Sequence, residues 1–163
     1  MALCAMPIGA GAMFKKDAVT DDFPFSLSEE EWRERLSPEA FKVLRKHGTE
    51  RAFTSPLNDE KREGVFHCAG CNNPLYASAD KFDSGTGWPS FTKAVSDEAI
   101  GTREDRSFFM IRTEVHCANC GGHLGHVFPD GPAPTGKRHC INGVALRFQP
   151  ASDTDQSGNP DPS

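Results

Sequence analysis

Cys68-Ala69-Gly70-Cys71 and, after 45 intervening residues, Cys117-Ala118-Asn119-Cys120 decide how this chain is read. A Cys-x-x-Cys turn points two sulfurs at one spot. Two such turns supply the four soft ligands of a tetrahedral Zn²⁺ site, and Zn–S bonds of about 2.3 Å would pin two distant hairpins together. The gap exceeds the spacing of a compact zinc ribbon, so the chain between the pairs has to leave and return, as a sheet built across the clip does. An iron site of rubredoxin type would use the same ligands. A redox Cys-x-x-Cys is the other alternative, though two copies would be redundant. A closed four-thiolate set with no open position fits structural zinc. His67 and His116, each just before the first Cys of its pair, then read as strand residues.

Composition narrows the class. The 163 residues fit one domain with appended ends, long enough to bury a core without stapling. The hydrophobic fraction is a modest 37%, but 12 Phe and 2 Trp are large apolar units. Fifteen Gly and 12 Pro favour a loop-rich, strand-rich fold over a helix bundle. A net charge of −5 argues against nucleic acid or an anionic membrane as partner, since either needs a basic face. No apolar run approaches the roughly 20 residues of a membrane span, and the start of the chain lacks the basic n-region of a secretory signal. Paired cysteines without such a signal point to metal binding in a reducing compartment, with the cytoplasm as the expected location.

Along the chain, residues 1–22 show no periodicity and read as a mobile arm. Ser28-Glu29-Glu30-Glu31 is a capping box opening a short helix through Trp32 to Leu36. Ser37-Pro38-Glu39 opens a second, with Ser at N-cap and Pro at N1. Phe41 and Leu44 face inward, and Gly48 serves as terminator. From Gly64 the texture turns to strands, with β-forming runs at 65–67, 108–115 and 144–148. Asp83-Ser84-Gly85-Thr86-Gly87 is a tight turn before Trp88-Pro89. Residues 130–136 form a rigid loop, and 151–163 a disordered tail. The domain proper is 23–150.

Two cysteines fall outside the pairs, Cys4 and Cys140. In Lys137-Arg138-His139-Cys140-Ile141-Asn142 strand alternation puts Arg138, Cys140 and Asn142 on one face, His139 and Ile141 on the other. A guanidinium beside a thiol favours the nucleophilic thiolate; a single Cys is equally well an inert packing residue. His123-Leu124-Gly125-His126 offers two imidazoles for proton donation or polar binding, for a second metal, or for backbone bonds in a turn. Trp88 serves either as core or as an aromatic wall for a methyl-bearing group.

Four segments taken together resemble the B-type methionine sulfoxide reductases, the peptide-methionine (R)-S-oxide reductases. They are Phe66 to Cys71, Lys81 to Phe91, His123 to Pro132 and Arg138 to Asn142, in the family's order and spacing over about residues 26–150. The resemblance implies a mainly β, small barrel-like domain of two antiparallel sheets, with the short helices outside and the zinc clip of Cys68, Cys71, Cys117 and Cys120. It implies reduction of the R epimer of methionine sulfoxide, mainly in proteins or peptides. Cys140 is then the nucleophile, passing through a sulfenic acid. His126 and His123 are the active-site histidines, with His126 favoured as acid. Asn142 places a water or the sulfoxide oxygen, Arg138 favours the thiolate, Trp88 receives the ε-methyl, and Phe128 is an active-site aromatic. Thioredoxin or another thiol is the implied reductant, and a monomer the expected state.

One position departs from the family pattern. Many members carry a resolving cysteine where this chain has Thr86, and threonine cannot form a disulfide. Cys4 is then the remaining thiol to attack the Cys140 sulfenic acid. About twenty flexible residues can span a small domain. Otherwise Cys4 is incidental, and an external thiol reduces the sulfenic acid. The rival reading of the whole is a non-enzymatic zinc-stapled β module that binds a small methylated ligand through Trp88 and needs no Cys140. A zinc-ribbon nucleic-acid binder lacks a basic stripe. A Cys140 hydrolase lacks an orienting third group.

Overall fold

The computed structural model describes residues 23–151; the 1–22 arm with Cys4, and the tail beyond Ala151, lie outside the described residues. Two helices come first. Helix α1 (Glu29–Arg35) has the expected capping box: the Ser28 hydroxyl accepts from Glu31 N at 3.1 Å and Glu31 Oε1 accepts from Ser28 N at 2.9 Å. Helix α2 (Pro38–Lys46) is capped by Ser37, whose hydroxyl accepts from Ala40 N. It buries Ala40, Phe41, Val43 and Leu44. Its terminator differs from expectation. The left-handed residue is His47 (φ 59°), while Gly48 follows it and donates its N–H to Lys42 O at 2.9 Å. A Schellman-like turn needs one left-handed residue, and here histidine takes that place.

Among the described residues nine strands follow: β1 (Gly64–Cys68), β2 (Pro74–Ala77), β3 (Lys81–Phe82), β4 (Ser90–Phe91), β5 (Ile100–Asp105), β6 (Arg112–Cys117), β7 (His123–Phe128), β8 (Arg138–Ile141) and β9 (Leu146–Pro150). They form two antiparallel sheets, ordered β2-β1-β9 and β3-β4-β8-β7-β6-β5. Two strand expectations shift. Residues 107–109 form a 3₁₀ turn, so β6 starts only at Arg112. Gly143–Ala145 is likewise a 3₁₀ turn, and β9 starts at Leu146.

Aromatic rings join the sheets. Phe91 of β4 stacks on Tyr76 of β2 (centroids 4.4 Å apart, planes at 17°) and meets Phe66 of β1 edge-on at 5.1 Å. All three are fully buried, with Leu75, Val115, Leu124 and Ile141 around them. Rings of this size bury 150–250 Å² each and dominate such a core. The two Cys-x-x-Cys turns make the second junction: Cys68 ends β1 in one sheet, Cys117 ends β6 in the other.

Candidate active site and four-cysteine centre

The two knuckles share one backbone design. Asn72 N donates to Cys68 O and Gly121 N to Cys117 O, both at 2.8 Å. Cys68 N donates to Asn73 O and Cys117 N to Gly122 O. Asn72 (φ 72°) and Gly121 (φ 77°) are the left-handed residues that close the turns. Gly70, the glycine inside the first knuckle, instead makes room for the Trp32 ring, 3.1 Å from where a Cβ would stand. The four sulfurs converge: Cys68 and Cys120 Sγ are 3.7 Å apart, Cys71 and Cys117 Sγ 3.6 Å. Disulfide sulfurs lie about 2.05 Å apart, whereas a tetrahedron with bonds of about 2.3 Å has edges of about 3.8 Å. Gly70 N (3.3 Å to Cys68) and Asn119 N (3.4 Å to Cys117) donate to sulfur, and the Arg45 guanidinium stands 4.0 Å from Cys120. Donors and a cation around packed sulfurs suit thiolates sharing an ion. The cluster could hold a metal ion.

A second locus opens at the β7–β8 junction. A cavity of about 310 Å³ is lined by Thr86, Trp88, His126, Phe128, Arg138, Cys140 and Asn142, with Thr49, Arg112 and Gly125. Strand alternation on β8 places Cys140 there, with His139 and Ile141 buried on the other face. Gly125 lets β7 come close, since a Cβ on it would stand 2.0 Å from Cys140 O. In register, His126 lies opposite Cys140 and Phe128 opposite Arg138. The Trp88 ring is fixed by its indole N–H, donated to Glu50 O at 3.0 Å. Asn142 is locked: its amide donates to Leu124 O (2.8 Å) and its Oδ1 accepts from Glu50 N (2.8 Å). The Glu50 carboxylate accepts from Gly143 and Val144 N at 2.7 and 3.0 Å, tying the segment after α2 to the end of β8.

The electrostatics differ from the expectation of a thiolate poised by Arg138. Burial pushes the Cys140 thiol up, against the lowering pull of a Thr86 hydrogen bond and the Arg138 guanidinium. Arg138 is itself engaged. It forms a two-point ion pair with Asp130 (Nε–Oδ1 3.0 Å, Nη2–Oδ2 3.2 Å) and lies 4.5 Å over the Phe128 ring. Asp130 raises the guanidinium pKa further. Thr86 belongs to a hydroxyl chain: Ser90 Oγ donates to Trp88 O (3.1 Å), and Ser84 Oγ lies 2.7 Å from Ser90 and 2.8 Å from Thr86 Oγ1. A carbonyl can only accept, so the single Ser90 proton goes to Trp88. Ser84 then donates to Ser90 and Thr86 to Ser84. Thr86 in that arrangement accepts from the Cys140 S–H, and has to turn its own proton to sulfur when the thiol ionises.

The two histidines part company. His126 faces the cavity, and its Nε2 lies 2.8 Å from Asp105 Oδ2. Burial lowers the imidazole pKa, against the opposing Asp105 bond. A neutral ring that donates from Nε2 keeps Nδ1 as an acceptor. His123 is buried, lines no part of the cavity, and gives Nδ1 to Glu114 at 2.7 Å; its ring meets His126 edge-on at 5.5 Å. Asp105, Glu114, Thr49 and Glu50 were not legible as site residues. Asp105 is on β5, where Gly101-Thr102-Arg103-Glu104-Asp105 offers no apolar alternation. Only pairing with β6, where Asp105 opposes Arg112, brings it to His126.

The SelR domain family matches residues 36–150. The chain belongs to this family. Among curated relatives, a peptide methionine sulfoxide reductase MsrB of Agrobacterium fabrum is 53% identical over 123 residues, covering 76% of this chain and 91% of that protein. Proteins of the same name from Methanosarcina barkeri (56% over 122 residues, 75% and 86% covered) and Pseudomonas putida W619 (58% over 121, 74% and 91% covered) are similarly close. The SelR match spans all four cluster cysteines and every cavity residue named above. Among the described residues no helix is long and apolar enough to cross a membrane.

Proposed function

We propose that this member of the SelR family reduces the R epimer of methionine sulfoxide, mainly in proteins or peptides, using Cys140 as nucleophile. The observation that carries the reading is one cavity holding a free thiol, an imidazole, a guanidinium and an aromatic wall. The sulfoxide methyl packs on Trp88 and Phe128. Cys140 gives its proton to the neutral His126 through Nδ1, and the thiolate attacks the electrophilic sulfur. Thr86 and Arg138 hold the thiolate. The sulfoxide oxygen takes the proton back from His126, and the S–O bond breaks with loss of hydroxide, leaving Cys140 bonded to a positively charged methionine sulfur. That hydroxide attacks Cys140 Sγ, the S–S bond breaks, and methionine leaves with its electron pair while Cys140 remains as sulfenic acid. Asn142 orients the oxygen or a water beside it. His123 acts from behind, by fixing the position of His126.

Zn²⁺ is the ion that suits the four-thiolate set of Cys68, Cys71, Cys117 and Cys120. Its role is structural, since no position stays open. A reducing compartment such as the cytoplasm keeps these thiols free. Cys4 attacks the sulfenic acid to give a Cys4–Cys140 disulfide and water, and thioredoxin or another dithiol reduces that bond. The chain acts as a monomer.

Two experiments test this. Separate R and S epimers of a blocked methionine sulfoxide are supplied with dithiothreitol. Turnover of R alone is expected, and none with Cys140→Ser; no turnover of R sinks the reading. Mass mapping after one equivalent of sulfoxide, without reductant, addresses Cys4. A crosslink between residues 4 and 140 supports its role, and a stable Cys140 sulfenic acid beside a free Cys4 thiol ends it.

A further inference from the structure

Behind the reductase cavity lies a second group of metal-binding atoms. His47, Glu114 and His123 each offer one ligand atom, and the three atoms all lie within 4.8 Å of one another. Glu114 is only 3% exposed. Its Oε2 faces two imidazoles, with His123 Nδ1 at 2.7 Å and His47 Nδ1 at 3.4 Å. The other oxygen, Oε1, faces Arg103 Nε at 3.1 Å and His116 Nδ1 at 3.6 Å. The His47 and His123 rings lie 5.1 Å apart. Three elements meet here: the end of α2, β6 and β7.

Each carboxylate oxygen offers two lone pairs, and Oε2 turns them to His123 and His47. The second imidazole can bond there as a donor or, with its proton gone, share an ion with the first. It is held there by the unusual end of α2, where His47 takes the left-handed position. Bonds of about 2.0–2.2 Å from a tetrahedral ion to nitrogen and oxygen place neighbouring ligand atoms about 3.4 Å apart. The His47–Glu114 distance already matches. The His123–Glu114 distance has to open by about 0.7 Å, as it would when an ion replaces the shared proton. The His47 side chain is 62% exposed, which leaves a path for the ion and a position for water. Arg103 stays on the far oxygen, 41% exposed and therefore screened.

We propose that His47, Glu114 and His123 form a second site, for a divalent transition-metal ion that prefers nitrogen and carboxylate ligands, with Zn²⁺ as the probe. Binding is weaker than at four thiolates, because one ligand is exposed and Arg103 repels the ion. Occupancy also reaches the reductase cavity. An ion on Nδ1 of His123 moves that ring's proton to Nε2, and the ring packs against His126. This second consequence rests on the reductase reading; the binding itself does not.

The test uses the full chain with its four-cysteine site already loaded and with Cys4→Ser and Cys140→Ser removing the free thiols. Calorimetric titration with Zn²⁺ should show a further equivalent bound. His47→Asn keeps a residue that tolerates the left-handed turn and should weaken that binding by roughly tenfold or more. No further equivalent, or the same affinity in His47→Asn, overturns the site. A single-turnover assay on the chain with both thiols intact, without added thiol reductant, then reads the coupling. Zn²⁺ should slow methionine formation in the parent and not in His47→Asn. Equal slowing of both overturns the coupling. Absence of turnover before Zn²⁺ is added sinks the reductase reading and leaves the binding result standing.

Discussion

At the scale of the residue, the balance around Cys140 is set by burial first and neighbours second. The thiol sits above its ordinary value, so at neutral pH most of it is protonated and its reactivity rises with pH. Thr86 and Arg138 work against burial. Thr86→Val therefore pushes the thiol up further. Alkylation of Cys140 by iodoacetamide at fixed pH should slow by up to about tenfold per unit of displacement, with its pH profile moved to the alkaline side. Thr86→Ser should retain the parent profile. The Thr86 hydroxyl is thus assigned a task of its own. His126 obeys the opposite sign: burial lowers it and Asp105 raises it. His126→Ala should cost about 10²–10⁴-fold in kcat, the range of general acid–base catalysis. Asp105→Ala should cost part of that, and should move the acid limb of the pH–rate profile lower because the group that raised His126 is gone.

At the scale of the element, the site depends on how closely β7 and β8 approach. The Gly125→Ala methyl would meet the Cys140 carbonyl at 2.0 Å. The strands have to part, at a cost of about 1–3 kcal/mol, and the His126–Cys140 register widens with them. Thermal denaturation should show the loss, and activity should fall even where the variant is folded. This is also the scale at which the sequence is least readable. Local signals were enough for α1 and α2, because caps are short-range chemistry: Ser28 with Glu31, Ser37 with Pro38. They were enough for β8, whose alternation put Arg138, Cys140 and Asn142 on one face. They failed for β5, a charged edge strand without an apolar face. With β5 went Asp105, the anchor of His126. They also failed at the end of α2. A glycine stood ready beside His47, yet His47 takes the left-handed turn, and its imidazole lies 3.4 Å from Glu114. Side-chain contacts between residues distant along the chain carry no local mark, and both misses are of that kind: Asp105 with His126, and His47 with Glu114.

At the scale of the whole molecule, two junctions hold the sheets, and only one of them is hydrophobic. Phe66, Tyr76 and Phe91 interlock on one side; the four cysteines close the other, one knuckle from each sheet. Strand β8, which carries Cys140, lies in the six-stranded sheet, while Asn142 and the turn after it lead straight into β9 of the three-stranded sheet. Any parting of the sheets therefore pulls on the site. A structural Zn²⁺ contributes about 10–16 kcal/mol in small zinc-binding peptides, as much as the whole stability of a typical domain, about 5–15 kcal/mol. Stripping the proposed ion also leaves the Cys68–Cys120 and Cys71–Cys117 sulfur pairs packed at 3.7 and 3.6 Å with no charge to hold them together. A strong chelator, or Cys71→Ser, should therefore cost most of the cooperative thermal transition and all reductase turnover, although Cys71 is no part of the cavity. Metal content by mass spectrometry against melting temperature measures the link. Were the stripped protein to melt as the loaded one does and to keep its activity, the aromatic junction alone would be sufficient, and the four cysteines would not be what holds β8 in register with His126.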